Sequence, residues 1–342
     1  MDGCVQFALG VVRQAALLAR RIQAEMISPA LQKNDRSPVT VADFAIQALV
    51  ARRLMEAFPA DRLVAEEDSS ALKDSPLLDQ VTAFVSTLVP EAGPQAVCEW
   101  IDRGRDDVVE TPRRGVSTRY WMLDPIDGTK GFLRGGQYAV ALALMVDGRP
   151  QIGLLGCPEL NIVQTRRHTD DVETPRRGVS TGCVVYAVRS RGTWTAALEE
   201  DTNPHTRLHV SRRSKPANAR LLRSFEAGHT NVGQIEQFAA ALGILAEPVL
   251  MDSQAKYAVL AAGQGDLILR LLSAEQPNYR EKAWDQAAGS LVVEEAGGRA
   301  TDLSGKPFDF THGRELIDNR GVLVSNGRLH EAALRALRQI RA

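Results

Sequence analysis

Apolar positions recur along the chain with two different periods, and the switches between them mark out its elements. Val5, Leu9, Val12, Ala16 and Leu17 stand at helical spacing with Arg13, Arg20 and Arg21 on the polar positions, which predicts an amphipathic N-terminal helix and not a signal peptide. A second helical pattern carries Phe44, Ile46, Ala48, Leu49, Val50 and Leu54, with Thr40 as its cap and Asp43 in its first turn. Short apolar runs then predict strands at 63–65, 120–123, 138–146, 151–156, 162–165 and 183–188, with Asp147-Gly148 as a turn. Beyond about residue 210 the periods alternate. Helices are predicted over 232–242, 253–262 and 284–296, strands at 266–269 and 321–325, and a last helix from about Leu329.

This order, with helices first, a strand-rich middle and then alternation, predicts an α+β or α/β layered sandwich of two halves, residues 1–205 and 206–342. A chain of 342 residues is long enough for about two domains and a substantial core. The net charge of −1 argues against a nucleic-acid polymer or an anionic membrane as partner. No apolar run reaches transmembrane length. Cys4, Cys98, Cys157 and Cys183 are scattered without metal or redox spacing, so they read as free thiols in a cytoplasmic protein. No feature of the sequence sets an oligomeric state.

Chemistry concentrates at Asp124-Pro125-Ile126-Asp127-Gly128-Thr129-Lys130-Gly131-Phe132. The run before it predicts a strand that ends at Asp124, and Pro125 and Gly128 predict a turn. Such a turn can aim the carboxylates of Asp124 and Asp127 and the carbonyl of Ile126 at one point, as a hard cation requires, with Thr129 alongside. Alone, the same string is equally an ordinary Asx-type turn. Two further acidic places fall at element ends. Glu66-Glu67-Asp68 follows the strand at 63–65, and Asp285 opens the helix at 284–296. Taken singly, the first reads as solvated surface and the second as a helix cap.

Together these segments resemble the inositol monophosphatase superfamily of Mg²⁺-dependent, lithium-sensitive phosphatases. Its Glu-Glu pair, Asp-Pro-Ile-Asp-Gly-Thr turn and Trp-Asp-x-Ala-Ala-Gly segment stand in order as Glu66-Glu67, Asp124 to Thr129 and Trp284 to Gly289. Asp127 to Gly135, Ser37 to Asp43, Asp252 to Tyr257 and Phe225 to His229 are similar to the 3′(2′),5′-bisphosphate nucleotidase branch. The resemblance implies the sugar-phosphatase fold, with its centre between two α/β halves. It also implies release of the 3′-phosphate of adenosine 3′,5′-bisphosphate, a small-molecule nucleotide, or of its 5′-phosphosulfate analogue, which belongs to sulfur metabolism.

As metal ligands the resemblance implies Glu66, Asp124, the carbonyl of Ile126, Asp127 and Asp285, with Glu67 serving a further, weakly held ion, so that two or three Mg²⁺ act. Thr129 would accept a hydrogen bond from the attacking water, with Asp43 orienting Thr129 as its proton-accepting partner. His229, Ser253, Lys256 and Arg270, with Thr129 and Asp285, would bind the nucleotide. Ser253 and Lys256 stand one helical turn apart if both are helical, and Arg270 follows a strand. Phosphatases of inositol or sugar phosphates, and a catalytically silent nucleotide or metal sensor, are the alternatives.

Glu-Thr-Pro-Arg-Arg-Gly-Val-Ser-Thr occurs twice, at 110–118 and 173–181. It reads as a duplicated surface loop, against the sharper reading that Arg113-Arg114 reaches a distal phosphate.

Overall fold

The computed structural model describes residues 2–25, 31–32, 38–73, 75–105, 118–162, 181–199, 205–225, 232–272 and 279–340. Both copies of the repeated segment lie outside them except for Thr118 and Thr181.

The chain opens with helix α1 (Asp2–Glu25), a short pairing of β1 (Leu31–Gln32) with β2 (Pro38–Val39), and helix α2 (Val41–Ala57). Thr40 caps α2. Its hydroxyl accepts from Ala42 N at 3.1 Å while Asp43 Oδ2 accepts from both Thr40 N and Thr40 Oγ1 at 2.7 Å, a reciprocal box that satisfies otherwise orphaned donors. Strand β3 (Arg62–Ala65) and helices α3 (Leu77–Ser86) and α4 (Pro94–Asp102) lead to the long strand β4 (Arg119–Asp127) and the one-turn helix α5 (Thr129–Leu133). An antiparallel meander follows: β5 (Ala139–Val146), β6 (Arg149–Cys157), β7 (Cys183–Val188), β8 (Gly192–Ala197) and β9 (Thr206–Leu208). With β3 parallel to β4 at one edge, these form a seven-stranded sheet. The division expected at residue 205 falls just inside this sheet, since β9 still belongs to it.

The second sheet has the order β11-β10-β12-β14-β13, from β10 (Leu221–Arg223), β11 (Val249–Leu250), β12 (Leu267–Arg270), β13 (Arg299–Thr301) and β14 (Val322–Ser325). Helices α6 (Val232–Leu242), α7 (Ala255–Ala261), α8 (Trp284–Glu295) and α9 (His330–Ile340) pack on its faces.

Side-chain alternation along the strands sorts the core into layers. Trp121, Leu123, Leu142, Leu144 and Leu154 face α1 and α2. Tyr120, Met122, Ala139, Ala141, Ala143 and Leu155 face the opposite way, onto α7 and α8, which are in turn covered by Leu222, Ile268, Val322 and Val324 of the second sheet. Leu221, Leu267, Leu269 and Leu323 complete the outer face beneath α6 and α9. The result is a helix, sheet, helix, sheet, helix sandwich. Because α8 lies between two sheets it is apolar nearly all round, burying Trp284, Ala287, Ala288, Leu291, Val292 and Val293. The small residues on the facing strands let it come close: a Cβ on Gly153 would stand 2.8 Å from Ala288 O. This proximity sets Asp285, in the first turn of α8, against the end of β4.

The structure departs from the expected elements in several ways. Helix α7 begins at Ala255, not 253, and Arg270 is the last residue of β12 and does not follow it. Ile162 lies in no strand, and 163–165 fall outside the described residues. Helices α3, α4 and α5 and strands β1, β2, β8, β9, β10, β11 and β13 were not among the predicted elements. Lastly, β4 does not end at Asp124.

Candidate active site

Strand β4 passes through Asp124 on a bulge. Asp124 pairs with Ala141 and Asp127 with Ala139, so Pro125 and Ile126 together oppose Val140. A bulge is where a strand tolerates a proline, which has no N–H to donate, and it re-aims the residues beside it. Gly128 then turns the chain with φ +88°, and α5 starts at Thr129. Thr129 Oγ1 donates to Ile126 O at 3.2 Å, so the hydroxyl and the carbonyl of the motif stand side by side.

Glu66 and Glu67 sit at the end of β3, beside Asp124 across the parallel pairing of β3 with β4. Two buried or half-buried side chains fix their backbone. Gln47 of α2 accepts from Glu67 N at 2.9 Å and donates to Glu67 O at 2.6 Å. Arg314 donates to Glu66 O at 3.3 Å and to Gly104 O at 3.1 Å while its guanidinium lies 4.7 Å from the Trp284 ring centre. One arginine thus braces Glu66 against the residue preceding Asp285.

The third contribution is the segment before α7. Gln254 N donates to Asp127 Oδ2 at 2.6 Å. Ser253 has φ +65°, a left-handed conformation that removes it from the helix, and its hydroxyl accepts from Ala255 N at 3.1 Å. Ser253 therefore lies in the turn before α7 and not in the helix, although its carbonyl still accepts from Lys256 N at 3.3 Å. The Lys256 side chain reaches back, donating to Ser224 Oγ at 3.0 Å and Met251 O at 3.3 Å. Arg270 donates to Asp285 Oδ2 at 3.4 Å and to Tyr279 Oη at 2.9 Å, and forms an ion pair with the buried Glu281 at 2.9 Å. His229 lies outside the described residues.

The electrostatics follow from five carboxylates at one place. Burial pushes the Asp124 carboxyl well above the usual carboxylate range, and the charges of Glu66, Asp127, Asp285 and Asp43 push it further. Asp285 is likewise raised well above its ordinary value by burial, against the pull of Arg270, and Asp127 is raised by burial against the pull of Lys256 and Gln254. Lys256 is lowered by burial, with Asp127 the largest opposing influence. Asp124 Oδ1 is fully buried and without a hydrogen-bond partner among the described residues.

A buried carboxylate oxygen without a hydrogen-bond partner among the described residues, set among further carboxylates and the carbonyl of Ile126, belongs to an all-oxygen donor set that fits a hard divalent cation. Among the described residues the one group with its candidate ligand atoms all within 4.8 Å is Asp309, His312 and Asp318. That triad is mostly exposed, and Asp309 Oδ1 already accepts from Thr311 N at 2.9 Å and Thr311 Oγ1 at 2.6 Å, so it reads as a solvated turn. The buried set is wider than this.

The Inositol monophosphatase family profile matches residues 3–342. The chain belongs to the inositol monophosphatase family. A curated relative, the 3′(2′),5′-bisphosphate nucleotidase of Schizosaccharomyces pombe, is 38% identical over 98% of this chain and 95% of its own length. Another of that name, from Oryza sativa, is 37% identical over 95% of this chain and 91% of its own. The solved structure of Thermotoga maritima IMPase has the same fold, with a TM-score of 0.65 at 18% identity over 100% of this chain and 98% of that one.

Within this inositol monophosphatase fold, the structure adds residues that sequence reading missed: Gln47, Arg314, Tyr279 and Glu281. The glycine between the two motif residues Asp127 and Thr129 is a sharp test of their geometry. A Cβ on Gly128 would stand 2.8 Å from Ser253 Cβ, at a φ that alanine adopts only under strain. Gly128→Ala should cost roughly 1–3 kcal/mol of stability. It should also lower kcat/KM about 100-fold, since small displacements of a reacting group carry losses of that order. Thermal unfolding and phosphate release, measured on one preparation, check both.

Proposed function

We propose that this family member hydrolyses the 3′-phosphate of adenosine 3′,5′-bisphosphate to AMP and inorganic phosphate, and acts on the 5′-phosphosulfate analogue as well. The observation that carries this reading is the approach of two cations, Lys256 of α7 and Arg270 of β12, to the carboxylate cluster. A monophosphate needs only the cluster. A second phosphate on the substrate gives the two cations something to hold. Arg270 spends donors on Glu281, Asp285 and Tyr279, but a guanidinium has five N–H groups in a rigid fork, and others remain for a phosphate oxygen.

In this reading Glu66, Asp124, the carbonyl of Ile126, Asp127 and Asp285 hold Mg²⁺, with Glu67 serving a further ion. When bound, the ions screen the phosphate's charge and make water a better nucleophile at neutral pH. The breadth of the carboxylate set suits more than one ion. Thr129 accepts a hydrogen bond from the attacking water. Asp43, whose Oδ2 is engaged by Thr40 in the capping box, takes up the Thr129 proton once that hydroxyl turns away from the carbonyl of Ile126, to which it donates at 3.2 Å. Ser253, and His229 beside it in the same proposal, contact the nucleotide.

Inhibition by lithium belongs to the same proposal. So does a cytoplasmic location, for which the four cysteines, all free and buried, are suited to a reducing compartment. Among the described residues no helix is long and apolar enough to cross a membrane. The presence of every expected carboxylate and of Thr129 argues against a silent sensor.

Mg²⁺-dependent phosphate release from adenosine 3′,5′-bisphosphate, inositol 1-phosphate and fructose 1,6-bisphosphate tests the assignment. The nucleotide should lead by at least about tenfold in kcat/KM, a discrimination worth about 1.4 kcal/mol. A lead for inositol 1-phosphate would leave the metal ligands standing and remove the roles given to His229, Ser253, Lys256 and Arg270.

A further inference from the structure

Phe225 directly follows Ser224, the residue that accepts from Lys256 Nζ at 3.0 Å, and is 55% exposed. An isolated apolar side chain at a surface needs no explanation. This one is held in place. Its backbone N–H donates to Asp252 Oδ1 at 3.3 Å, the other oxygen of Asp252 forms an ion pair with Arg134, and the Arg134 guanidinium lies over the Phe225 ring at 5.6 Å from its centre. Asp252 is itself buried. A buried carboxylate thus fixes both the ring's anchor and the cation that covers the ring. Arg134 comes from the end of α5, in the first sheet's half, and Phe225 from the end of β10 in the second, so the stack sits across the line where the two halves meet. Leu133, next to Arg134, is exposed too, at 41%.

An aromatic ring that is oriented, covered by a cation on one side and left to water elsewhere is a platform for another π system. Lys256 connects it to the reacting centre, since its charge is felt by Asp127 and Asp285 on one side and its ammonium is held by Phe225's neighbour on the other. A ligand that reaches from the carboxylate cluster past Lys256 would come to the segment that carries this ring. In a nucleoside bisphosphate, the group at that end is the base.

We propose that Phe225, backed by Arg134, is the surface on which the base of the nucleotide stacks, and that it sets the preference for a nucleotide over a base-free phosphate. This rests on the nucleotide reading above. Stacking requires a flat π face, so tryptophan can serve and leucine, of similar bulk, cannot.

The test compares kcat/KM for adenosine 3′,5′-bisphosphate with that for 1-O-methylribose 3,5-bisphosphate, which keeps the sugar and both phosphates and lacks the base. Alanine substitution beneath a stacked base should lower the ratio of the two about 5- to 150-fold, mostly through KM for the nucleotide. Phe225→Leu should lower it similarly, and Phe225→Trp should hold it within about threefold of wild type. A purely structural role moves both substrates together and leaves the ratio unchanged. A ratio that Phe225→Ala leaves unmoved, or that Phe225→Leu restores, overturns the platform while wild-type turnover of the nucleotide still stands. Wild-type protein that releases no phosphate from the nucleotide overturns the function proposed above and the platform together.

Discussion

Asp124→Asn should abolish phosphate release and at the same time make the metal-free protein more stable. The loss of activity should reach three orders of magnitude or more, because even one preorganised group aimed at developing charge is worth about 10²–10³ in rate. The gain in stability has the same origin. Asp124 is 2% exposed, one of its oxygens has no partner among the described residues, and Glu66, Asp127, Asp285 and Asp43 all repel its charge. A neutral amide of the same shape removes those repulsions, and about 1–2 kcal/mol of added stability follows from relieving a buried, unsatisfied charge. Thermal unfolding in a chelator, with and without excess Mg²⁺, separates the two effects. Mg²⁺ should stabilise the wild type strongly and the variant weakly. An Asp124→Asn protein less stable than wild type in chelator would contradict the reading of Asp124 as a charge awaiting its counterion.

The same cluster fixes the sign of the pH dependence. Asp124, Asp127 and Asp285 all have folded-state pKa values raised above the ordinary 3.8. A group raised on folding binds more protons in the folded state, so its favourable contribution is complete below the unfolded value and is lost as pH rises through the folded one. Metal-free wild type should therefore lose stability as the pH climbs from about 4 towards neutrality. The Asp124→Asn protein should show a flatter profile.

How much of this was legible beforehand varies by residue, and the reason is distance along the chain. The motif at Asp124 to Thr129 is local, so its composition alone pointed to oxygen ligands, and the apolar periods located α1, α2, α8 and the longer strands. Helix α3 was missed although Leu77, Val81 and Val85 repeat at intervals of four, and α4 although Pro94 occupies a favoured first helical position. Both signals are short and were outweighed by the polar residues between them. Pro125 was read as ending β4, whereas the bulge accommodates it and lets pairing resume at Asp127. The left-handed φ of Ser253 had no sequence signature, because no glycine or asparagine marks it. Gln47 and Arg314 could not be read at all. Arg314 reaches Glu66 across 248 residues, and nothing near an arginine predicts which distant carbonyl it will brace.

Arg270 is where structure and binding can be separated by experiment. Its guanidinium is paired with Glu281, whose side chain is 0% exposed, and Glu281 is raised by burial even with Arg270 beside it. Arg270→Met leaves that carboxyl without its cation, and breaking a buried pair from one side costs about 3–5 kcal/mol. The loss should be largest at neutral pH and above. It should shrink towards pH 4.5, the ordinary glutamate value, because Glu281 is raised further in the variant and its protonated form carries no unpaired charge. Adding Glu281→Gln removes the stranded charge while keeping an acceptor and a donor near Gln286, so the double variant should regain most of the stability. Binding should not return with it. If Arg270 holds the substrate's second phosphate, both variants should show a KM for adenosine 3′,5′-bisphosphate raised about 10- to 100-fold, the loss of a charge-assisted hydrogen bond worth about 1.5–3 kcal/mol. A double variant that recovers stability and KM together would show that Arg270 acts on the substrate only by keeping Glu281 paired and Asp285 in position.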